Sequence, residues 1–325
     1  MLQVMPGGTV ELRVAEADAF IPPPSWVRRL LGPEPAVERR NAGDGLRTET
    51  AEGGGHCFVQ ALLAGAAELP ARCFRRRVTE IYGELRAQLG RRRACHPIRF
   101  WNFVPGIGEV VEGGLARYEV FNAGRFVAFS DWYRTPRFGA HMVAASGVGH
   151  YAPDFVVQVL AAERPGRGLE NPRQRPAYRY SRRYGPLPPC FARATLAATS
   201  GIGSPNASQR GLLLVAGTAS IVDEDSRHLT DLPAQLAETC ANLERLIGLT
   251  TAPESRQAPL ERFRELRAYL PGKAPDEARR RRVVELLAGR FPNLEQLELV
   301  AADLCRPELL IELEGAVEVD LGHPP

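Results

Sequence analysis

Residues 305–317 read CRPELLIELEGAV, and this stretch decides the fold. Apolar side chains at every second position from Leu309 onward predict a strand with one buried apolar face. The same alternation places Glu312 and Glu314 together on the opposite face. Because acidic residues are depleted in strands and are rarely buried alone, the pair is either solvent-facing on an edge strand or functional.

The segment from Pro188 to this strand follows an α/β pattern. A buried strand is predicted at 211–220, followed by a helix in which apolar side chains recur at helical spacing between Leu236 and Ile247. Four further elements complete the pattern, and they are a strand at Phe263–Leu270, a helix at Asp276–Gly289 and strands at Leu294–Asp303 and Leu309–Val317.

The first half of the chain has a related order. An amphipathic helix is predicted over 72–89 and is ended by Gly90, and a strand over 98–106 ends in Pro-Gly, as does the strand at 263–272 of the second half. The segment Tyr118–Phe129 is predicted as a strand pair or a bulged strand. These correspondences indicate two related α/β units in tandem.

Composition narrows the function classes. The 325 residues are 44% hydrophobic, enough for one large core or two, and a net charge of +3 indicates neither nucleic-acid nor membrane binding. The six cysteines and six histidines are scattered, so we expect no disulfide framework, metal or cofactor. Since the N-terminus lacks a secretion-signal pattern and no long apolar run occurs, we expect a cytoplasmic protein.

Six motifs in order resemble a known family. They are Glu170-Asn171-Pro172, Tyr180, Tyr184–Pro189, Phe191–Thr195, Gly217–Ala219 and Leu309–Gly315. Together they resemble the Rid (reactive-intermediate deaminase) fold and, more closely, the chorismatases, which are built from Rid-like units and act on chorismate. The similarity spans roughly residues 97 to 317.

The resemblance implies an α+β protein of two tandem Rid-like (chorismate-mutase-like) domains, with mixed sheets packed by helices. We expect an N-terminal domain over 1–165, a connecting segment over 166–187 that lines the site and a C-terminal domain over 188–325. Rid proteins are trimers with sites between subunits, so a tandem chain is expected to be a monomer with its site between the halves.

Chorismate carries two carboxylates and an enol ether. Cleaving the ether to pyruvate begins most simply with protonation of its terminal methylene carbon, which requires a general acid. A carboxyl group buried on an apolar strand has its pKa raised by desolvation and can hold that proton. The resemblance to the chorismatases assigns this role to Glu312.

Arginine suits a dianionic substrate, because its planar fork binds carboxylates bidentately. The resemblance implies that Arg193 holds one substrate carboxylate and that Tyr180 hydrogen-bonds in the same pocket. Arg125, in the other half of the chain, is our candidate for the second carboxylate. The competing interpretation is an ordinary ion pair for each arginine and interface packing for Tyr180.

The family contains hydrolytic enzymes, which give a dihydroxy-cyclohexadiene carboxylate and pyruvate, and aromatising enzymes, which give 3-hydroxybenzoate and pyruvate. Glycine at Gly217 and cysteine at Cys305 are similar to the 3-hydroxybenzoate branch, where the hydrolytic branch has alanine. Cys305 precedes Glu312 across a predicted hairpin turn containing Pro307, so we expect the two side chains to approach and Cys305 to steer aromatisation. The competing interpretation is that Cys305 is a small buried hydrophobic side chain whose role is packing alone.

The first hypothesis is therefore a chorismate lyase that makes 3-hydroxybenzoate for a secondary-metabolite or pigment pathway. Some relatives also release 4-hydroxybenzoate, and the sequence does not fix that ratio. The alternatives are a hydrolytic chorismatase, a Rid-like protein that binds small metabolites and a ligand sensor that has kept the fold. Intact Glu312 and Arg193 argue against the sensor.

Overall fold

The computed structural model describes residues 9–14, 16–135, 138–198, 210–250, 257–273 and 276–320. The strands are β1 (Thr9–Arg13), β2 (Ala36–Gly43), β3 (Leu46–Gly53), β4 (His56–Leu63), β5 (His96–Pro105), β6 (Ala144–His150), β7 (Phe155–Ala162), β8 (Arg167–Leu169), β9 (Ala194–Ala198), β10 (Arg210–Thr218), β11 (Ile221–Val222), β12 (Asp225–Ser226), β13 (Glu265–Leu270), β14 (Gln296–Ala301) and β15 (Glu312–Asp320). The helices are α1 (Ser25–Leu31), α2 (Ala71–Leu89), α3 (Arg117–Tyr133), α4 (Leu232–Gly248) and α5 (Glu277–Ala288).

Two mixed sheets form the body of the protein. The first has the order β2-β3-β4-β7-β5-β6 and is antiparallel except for the β5–β6 pair. The second has the order β1-β14-β13-β15-β10-β9-β8, with β1, β14 and β13 mutually parallel. The predicted α+β class with mixed sheets is confirmed. The domain boundaries stay a prediction, and β1 from the first stretch of the chain pairs in the second sheet.

The two sheets face each other and carry their longer helices on the outside. α2 and α3 cover the first sheet, whereas α4 and α5 cover the second. A third apolar cluster, which includes Trp101, Leu214 and Tyr269, fills the space between the sheets. Strands in the middle of such a sandwich are buried on both faces, which is why β4 is buried along its whole length.

Local sequence signals define where the predicted helices begin and end. The Asp231 carboxylate accepts a hydrogen bond of 3.0 Å from the Ala234 amide at the start of α4, and the Asp276 carboxylate caps α5 in the same way at 2.7 Å from the Arg279 amide. α2 ends at Gly90, as its pattern indicated. All three predicted helices are confirmed.

The predicted strand over Tyr118–Phe129 is wrong, because this segment forms helix α3. The Glu119 carboxylate accepts a hydrogen bond of 2.7 Å from the Ala116 amide and closes the first turn. Gly124 does not mark a bulge. Instead it lets α3 approach α2, since a Cβ at this position would lie 2.6 Å from the Arg75 carbonyl oxygen. Packing against α2 therefore selected a helix for a segment whose apolar pattern is ambiguous.

The last strand begins later than predicted, at Glu312 rather than Leu309. The preceding residues form a turn, in which the Leu309 amide donates to the Arg306 carbonyl at 3.1 Å, and the Leu310 amide donates to the Gln235 side chain at 2.8 Å. The predicted hairpin around Pro307 is also wrong, because β13 lies between β14 and β15 in the sheet.

Residues 1–8, which include the start of the chain on which the cytoplasmic expectation rests, lie outside the described residues. None of the described helices is both long and apolar enough to span a bilayer.

The α4 core contact gives a stability prediction. Leu243 is fully buried against the second sheet, so Leu243→Ala leaves a cavity and should lower the free energy of unfolding by about 2–5 kcal/mol. Leu249→Ala is the matched control, because Leu249 is 43% exposed just past the same helix, and its cost should stay within about 0.5 kcal/mol. Urea denaturation followed by circular dichroism measures both; equal losses would contradict the assignment of the core.

Candidate active site

A cavity opens between the two sheets, and water molecules can place their centres in about 160 Å³ of it. Its walls come from α3 and β6 on one side, from the ends of β10 and β15 on the other and from the segment that connects the two halves of the chain. All six site residues predicted from the sequence line this cavity, namely Arg125, Tyr180, Arg193, Gly217, Cys305 and Glu312. Their roles stay predictions.

Glu312 is the first residue of β15 and is only 5% exposed. Burial raises the pKa of its carboxyl to about 8, and the neighbouring Glu314 adds to the shift, whereas Arg99 and Arg193 oppose it. In the described parts of the chain, no side chain donates a hydrogen bond to the Glu312 carboxyl. Burial therefore favours the protonated form of this carboxyl, which lines the cavity.

Glu314 lies two residues further along the same face of β15 and has the opposite environment. It is fully buried, and its carboxylate accepts hydrogen bonds of 2.8 Å from the Trp101 indole and 2.7 Å from the Arg99 guanidinium, and another from the Ser146 hydroxyl. Such donors stabilise the ionised form. The sequence prediction that a strand places both glutamates on one face is confirmed, and that face lies between the sheets.

Gly217 lies where β10 departs from regular pairing with β15, between Val215 and Thr218. Its amide donates a hydrogen bond of 2.9 Å to the Ser146 hydroxyl oxygen. A Cβ at position 217 would overlap the Glu312 carboxyl, 2.8 Å from its Cδ atom. Glycine at this position therefore leaves space for the acid.

Arg193 directly precedes β9 and is 4% exposed. Its guanidinium donates hydrogen bonds of 2.7 Å to the Tyr180 hydroxyl and 3.0 Å to the Arg175 carbonyl, and it lies 5.1 Å from the Phe191 ring centre. Its Nε atom is buried without a hydrogen-bond partner. The structure thus brings Arg193 and Tyr180 into direct contact at the cavity wall.

Arg125 lies on α3 and is 3% exposed. Aromatic rings surround its guanidinium at 5.0–6.0 Å, and they belong to Tyr82, Phe100, Phe121 and Phe129. Two of its nitrogens, Nε and one terminal nitrogen, are buried without a hydrogen-bond partner, and the described residues offer it no ion-pair partner. Because an unpaired buried cation is unfavourable, this arrangement fits an anionic ligand.

Cys305 is half-buried in the loop before β15. Burial, with a contribution from Glu312, raises the pKa of its thiol to about 12. The side chain is therefore a neutral thiol at physiological pH. It can pack against a ligand or donate a weak hydrogen bond, but it is not a thiolate base or nucleophile.

Sequence reasoning missed several residues of the site. Tyr118 lines the cavity and lies seven residues before Arg125 on the same face of α3. A spacing of seven residues places two side chains on one face only in a helix, so Tyr118 could not be identified while the segment was predicted as a strand. Ser146 and Arg99 lie on β6 and β5 without any local signal. Arg306 follows Cys305 directly, and its guanidinium lies 4.0 Å from the Tyr184 ring centre.

Glu224 fixes the connecting segment over the cavity. Its side chain accepts a hydrogen bond of 2.9 Å from the Ser181 amide, and its carbonyl accepts one of 2.6 Å from the Tyr184 hydroxyl and one of 2.8 Å from Arg306. The segment is thus an ordered wall of the site. No group of three potential metal ligands converges anywhere in the described residues.

Comparison with known proteins gives consistent matches. The family model described as "Chorismatase FkbO/Hyg5-like, N-terminal" matches residues 36–161. A chorismatase from Streptomyces rapamycinicus is 32% identical over 223 residues, which are 67% of this chain and 63% of that protein. A 3-hydroxybenzoate synthase from Streptomyces hygroscopicus is 32% identical over 230 residues, which are 67% of this chain and 62% of that protein. The chain thus spans less than two thirds of the length of these relatives.

The fold agrees with the sequence matches. A crystal structure of a chorismatase superimposes with a TM-score of 0.67 at 26% identity, covering 85% of this chain and 78% of that one. Family model, sequence relatives and solved structure all name the same family, and this chain belongs to the chorismatases.

Proposed function

We propose that this protein is a lyase that converts chorismate to 3-hydroxybenzoate and pyruvate. The observation that carries the proposal is a buried carboxyl, Glu312, facing a cavity that two buried arginines also line, Arg125 and Arg193, neither of which has an ion-pair partner among the described residues. The names of the relatives, chorismatase and 3-hydroxybenzoate synthase, point to the same substrate.

The two arginines match the charge of the substrate. One carboxylate of chorismate binds Arg193, whose hydrogen bond to Tyr180 fixes the orientation of its fork. The other binds Arg125 inside its aromatic cage, where a dry environment strengthens the ion pair. The two arginine side chains are already buried away from water. Binding of the substrate carboxylates therefore requires less desolvation and less side-chain ordering of the protein.

Substrate binding also prepares the acid. Arg193 lowers the pKa of the Glu312 carboxyl in the empty site. A substrate carboxylate on Arg193 offsets that positive charge, so Glu312 holds its proton more firmly once chorismate is in place. The proton then passes to the enol-ether methylene, which becomes a methyl group and leaves a cationic centre on the adjacent carbon.

The ring hydroxyl beside the ether then displaces it: the hydroxyl oxygen bonds to the ring carbon that carried the ether, its proton returns to the Glu312 carboxylate, and the ether oxygen leaves as the carbonyl oxygen of pyruvate. Opening of the resulting epoxide, with loss of a ring hydrogen and protonation of the oxygen, gives 3-hydroxybenzoate. The products, 3-hydroxybenzoate and pyruvate, together contain the atoms of chorismate, so no water is consumed. The neutral Cys305 thiol lies at the same wall as Glu312 and favours aromatisation over water addition by occupying space that a smaller alanine side chain would leave open to water. Release of some 4-hydroxybenzoate is compatible with the same site.

The alternative is hydrolysis to a dihydroxy-cyclohexadiene carboxylate and pyruvate. The observation in its favour is that the cavity admits water in the absence of substrate. The aromatic product distinguishes the two reactions.

Since elements of both sheets line the cavity, we also propose that one chain forms a whole site and acts as a monomer. We propose in addition that the protein is cytoplasmic and supplies an aromatic secondary-metabolite or pigment pathway.

Incubating the purified protein with chorismate, without added metal or cofactor, tests the function. We expect pyruvate and 3-hydroxybenzoate, resolved by a coupled pyruvate assay and by mass spectrometry. Glu312→Gln should lower kcat at least a hundredfold while chorismate affinity, measured by calorimetry, changes little, since general acids contribute about 10²–10⁴-fold. The control Glu318→Gln lies on the same strand but is exposed, and it should retain full rate. Wild-type turnover in Glu312→Gln would show that the acid is another group.

The rate should depend on pH in one direction. Because the active form of Glu312 is the protonated one and its pKa in the free enzyme is raised to about 8, kcat/KM should be highest near and below pH 7 and fall as the pH rises through and above that value, whereas the fall in kcat should lie at higher pH. A stopped pyruvate assay at subsaturating and saturating chorismate measures both profiles. A rate that increases between pH 7 and 9 would mean that the essential group acts as a base.

Cys305 gives a prediction about products rather than rate. Cys305→Ala removes the thiol from the cavity wall and opens space beside Glu312, so the fraction of hydrated diene acid or 4-hydroxybenzoate should rise while pyruvate release changes less than tenfold. Cys73→Ala, which alters a cysteine on α2 away from the cavity, is the matched control. An unchanged product spectrum would reduce Cys305 to a packing role.

A further inference from the structure

We propose that Glu314 is a positioning residue for this reaction, a caged carboxylate whose charge keeps the proton on Glu312. The inference rests on the proposed role of Glu312 as the acid. Glu314 does not line the cavity and therefore does not touch the substrate. It acts through its neighbour two residues away on the same strand face.

The donors around Glu314 occupy both of its oxygens. The Trp101 indole donates to Oε1, while the Arg99 guanidinium and the Ser146 hydroxyl donate to Oε2. Arg267 adds a terminal nitrogen 3.8 Å from Oε1. Trp and Arg side chains are donors only, so this shell is built for an ionised carboxylate. Full burial keeps water from screening its charge.

Ser146 connects this cage to the cavity. Its hydroxyl has one proton, which it donates to Glu314, and it accepts hydrogen bonds of 2.7 Å from Arg99 and 2.9 Å from the Gly217 amide. The single proton and both lone pairs are thus used, which fixes its orientation. The missing Cβ of Gly217 leaves space for the Glu312 carboxyl. The hydrogen bonds around Glu314 therefore also hold the backbone segment that borders the Glu312 side chain.

The groups that surround Glu312 show why a negative charge is needed there. Tyr118, Tyr269 and Cys305 are neutral, because burial raises the pKa of each. The positively charged side chains contributed by the surrounding elements are Arg99 and Arg267 from the two sheets, Arg125 from α3, Arg193 before β9 and Arg306 before β15.

Of these cations, Arg99 and Arg193 favour the ionised form of Glu312, which cannot donate a proton. Arg99 and Arg193 lower the pKa of the Glu312 carboxyl, and Glu314 raises it. Glu314 therefore offsets the positive field that the site needs for binding a dianionic substrate. Without Glu314, Arg99 would also lose its carboxylate partner, whereas Arg267 would keep its ion pair of 2.6 Å with Glu298, and the field at Glu312 would become more positive.

The test is the protonation of Glu312 in Glu314→Gln, which keeps the size of the side chain and removes its charge. Difference infrared spectra between each protein and its Glu312→Gln counterpart isolate the carbonyl stretch of the Glu312 acid across a pH series. We expect the pH midpoint of the Glu312 titration to lie at least one pH unit lower in Glu314→Gln than in the wild-type protein. The Coulomb interaction of two nearby carboxylates at an effective dielectric constant of about 20 implies a shift of this size. The alkaline limb of the kcat/KM profile should move down by the same amount.

Glu318→Gln is the matched control, since Glu318 lies on the same strand and the same face but is exposed. Its midpoint should stay within a few tenths of a unit of the wild-type value. An unchanged midpoint in Glu314→Gln, or an equal fall in Glu318→Gln, would overturn the proposal.

A second variant decides the question if Glu314→Gln does not fold. Trp101→Phe removes one donor from Glu314 but leaves its charge, so the negative potential at Glu312 grows and the midpoint should rise. A fall or no change would refute the proposal. The infrared titration needs no turnover, so a wild-type protein that releases no pyruvate would disprove the proposed function and still leave the Glu314 test valid.

Discussion

The buried ion pair between Arg99 and Glu314 crosses the space between the two sheets, and the rest of the site depends on it. Arg99 is on β5 of the first sheet and Glu314 on β15 of the second, at 1% and 0% exposure of their side chains. Removing a charge from water is unfavourable, and only good geometry with further hydrogen bonds compensates for it. Trp101 and Ser146 supply those bonds, so the sheets are held in one mutual position.

The same strand face carries two glutamates with opposite properties. Glu314 takes the donors within reach, whereas Glu312, at the edge of the cavity, keeps a proton because burial penalises its charge. Enzymes that need an acid at neutral pH often separate two carboxyl groups in this way, by environment rather than by residue type. Here the separation is achieved within three consecutive positions of one strand.

The binding side of the cavity is organised around cations that lack carboxylate partners among the described residues. Arg125 is surrounded by aromatic rings, and Arg193 donates to a tyrosine hydroxyl and a backbone carbonyl. Such sites are unfavourable for stability and favourable for an anionic ligand. The connecting segment, fixed by Glu224, closes the cavity from the side and brings Tyr180 and Tyr184 to the wall.

Sequence by itself determined the regular elements whose signals are local. The apolar spacing of α2 and α4 needed no tertiary information, and the alternation around Glu312 and Glu314 placed both carboxyl groups on one face. Family motifs in turn indicated cavity residues of the connecting segment and of the second half, whereas Arg125 was our candidate from the charge of the substrate.

Tertiary structure decided the rest. Helix α3 was read as a strand because its apolar pattern fits either period until packing against α2 selects one. The partners of Glu314 lie 168 to 215 residues away along the chain, and Ser146 carries no local mark of its role. Local pattern sets which face a side chain occupies, but its charge state depends on what the fold places against it, and that is fixed only when the two sheets meet.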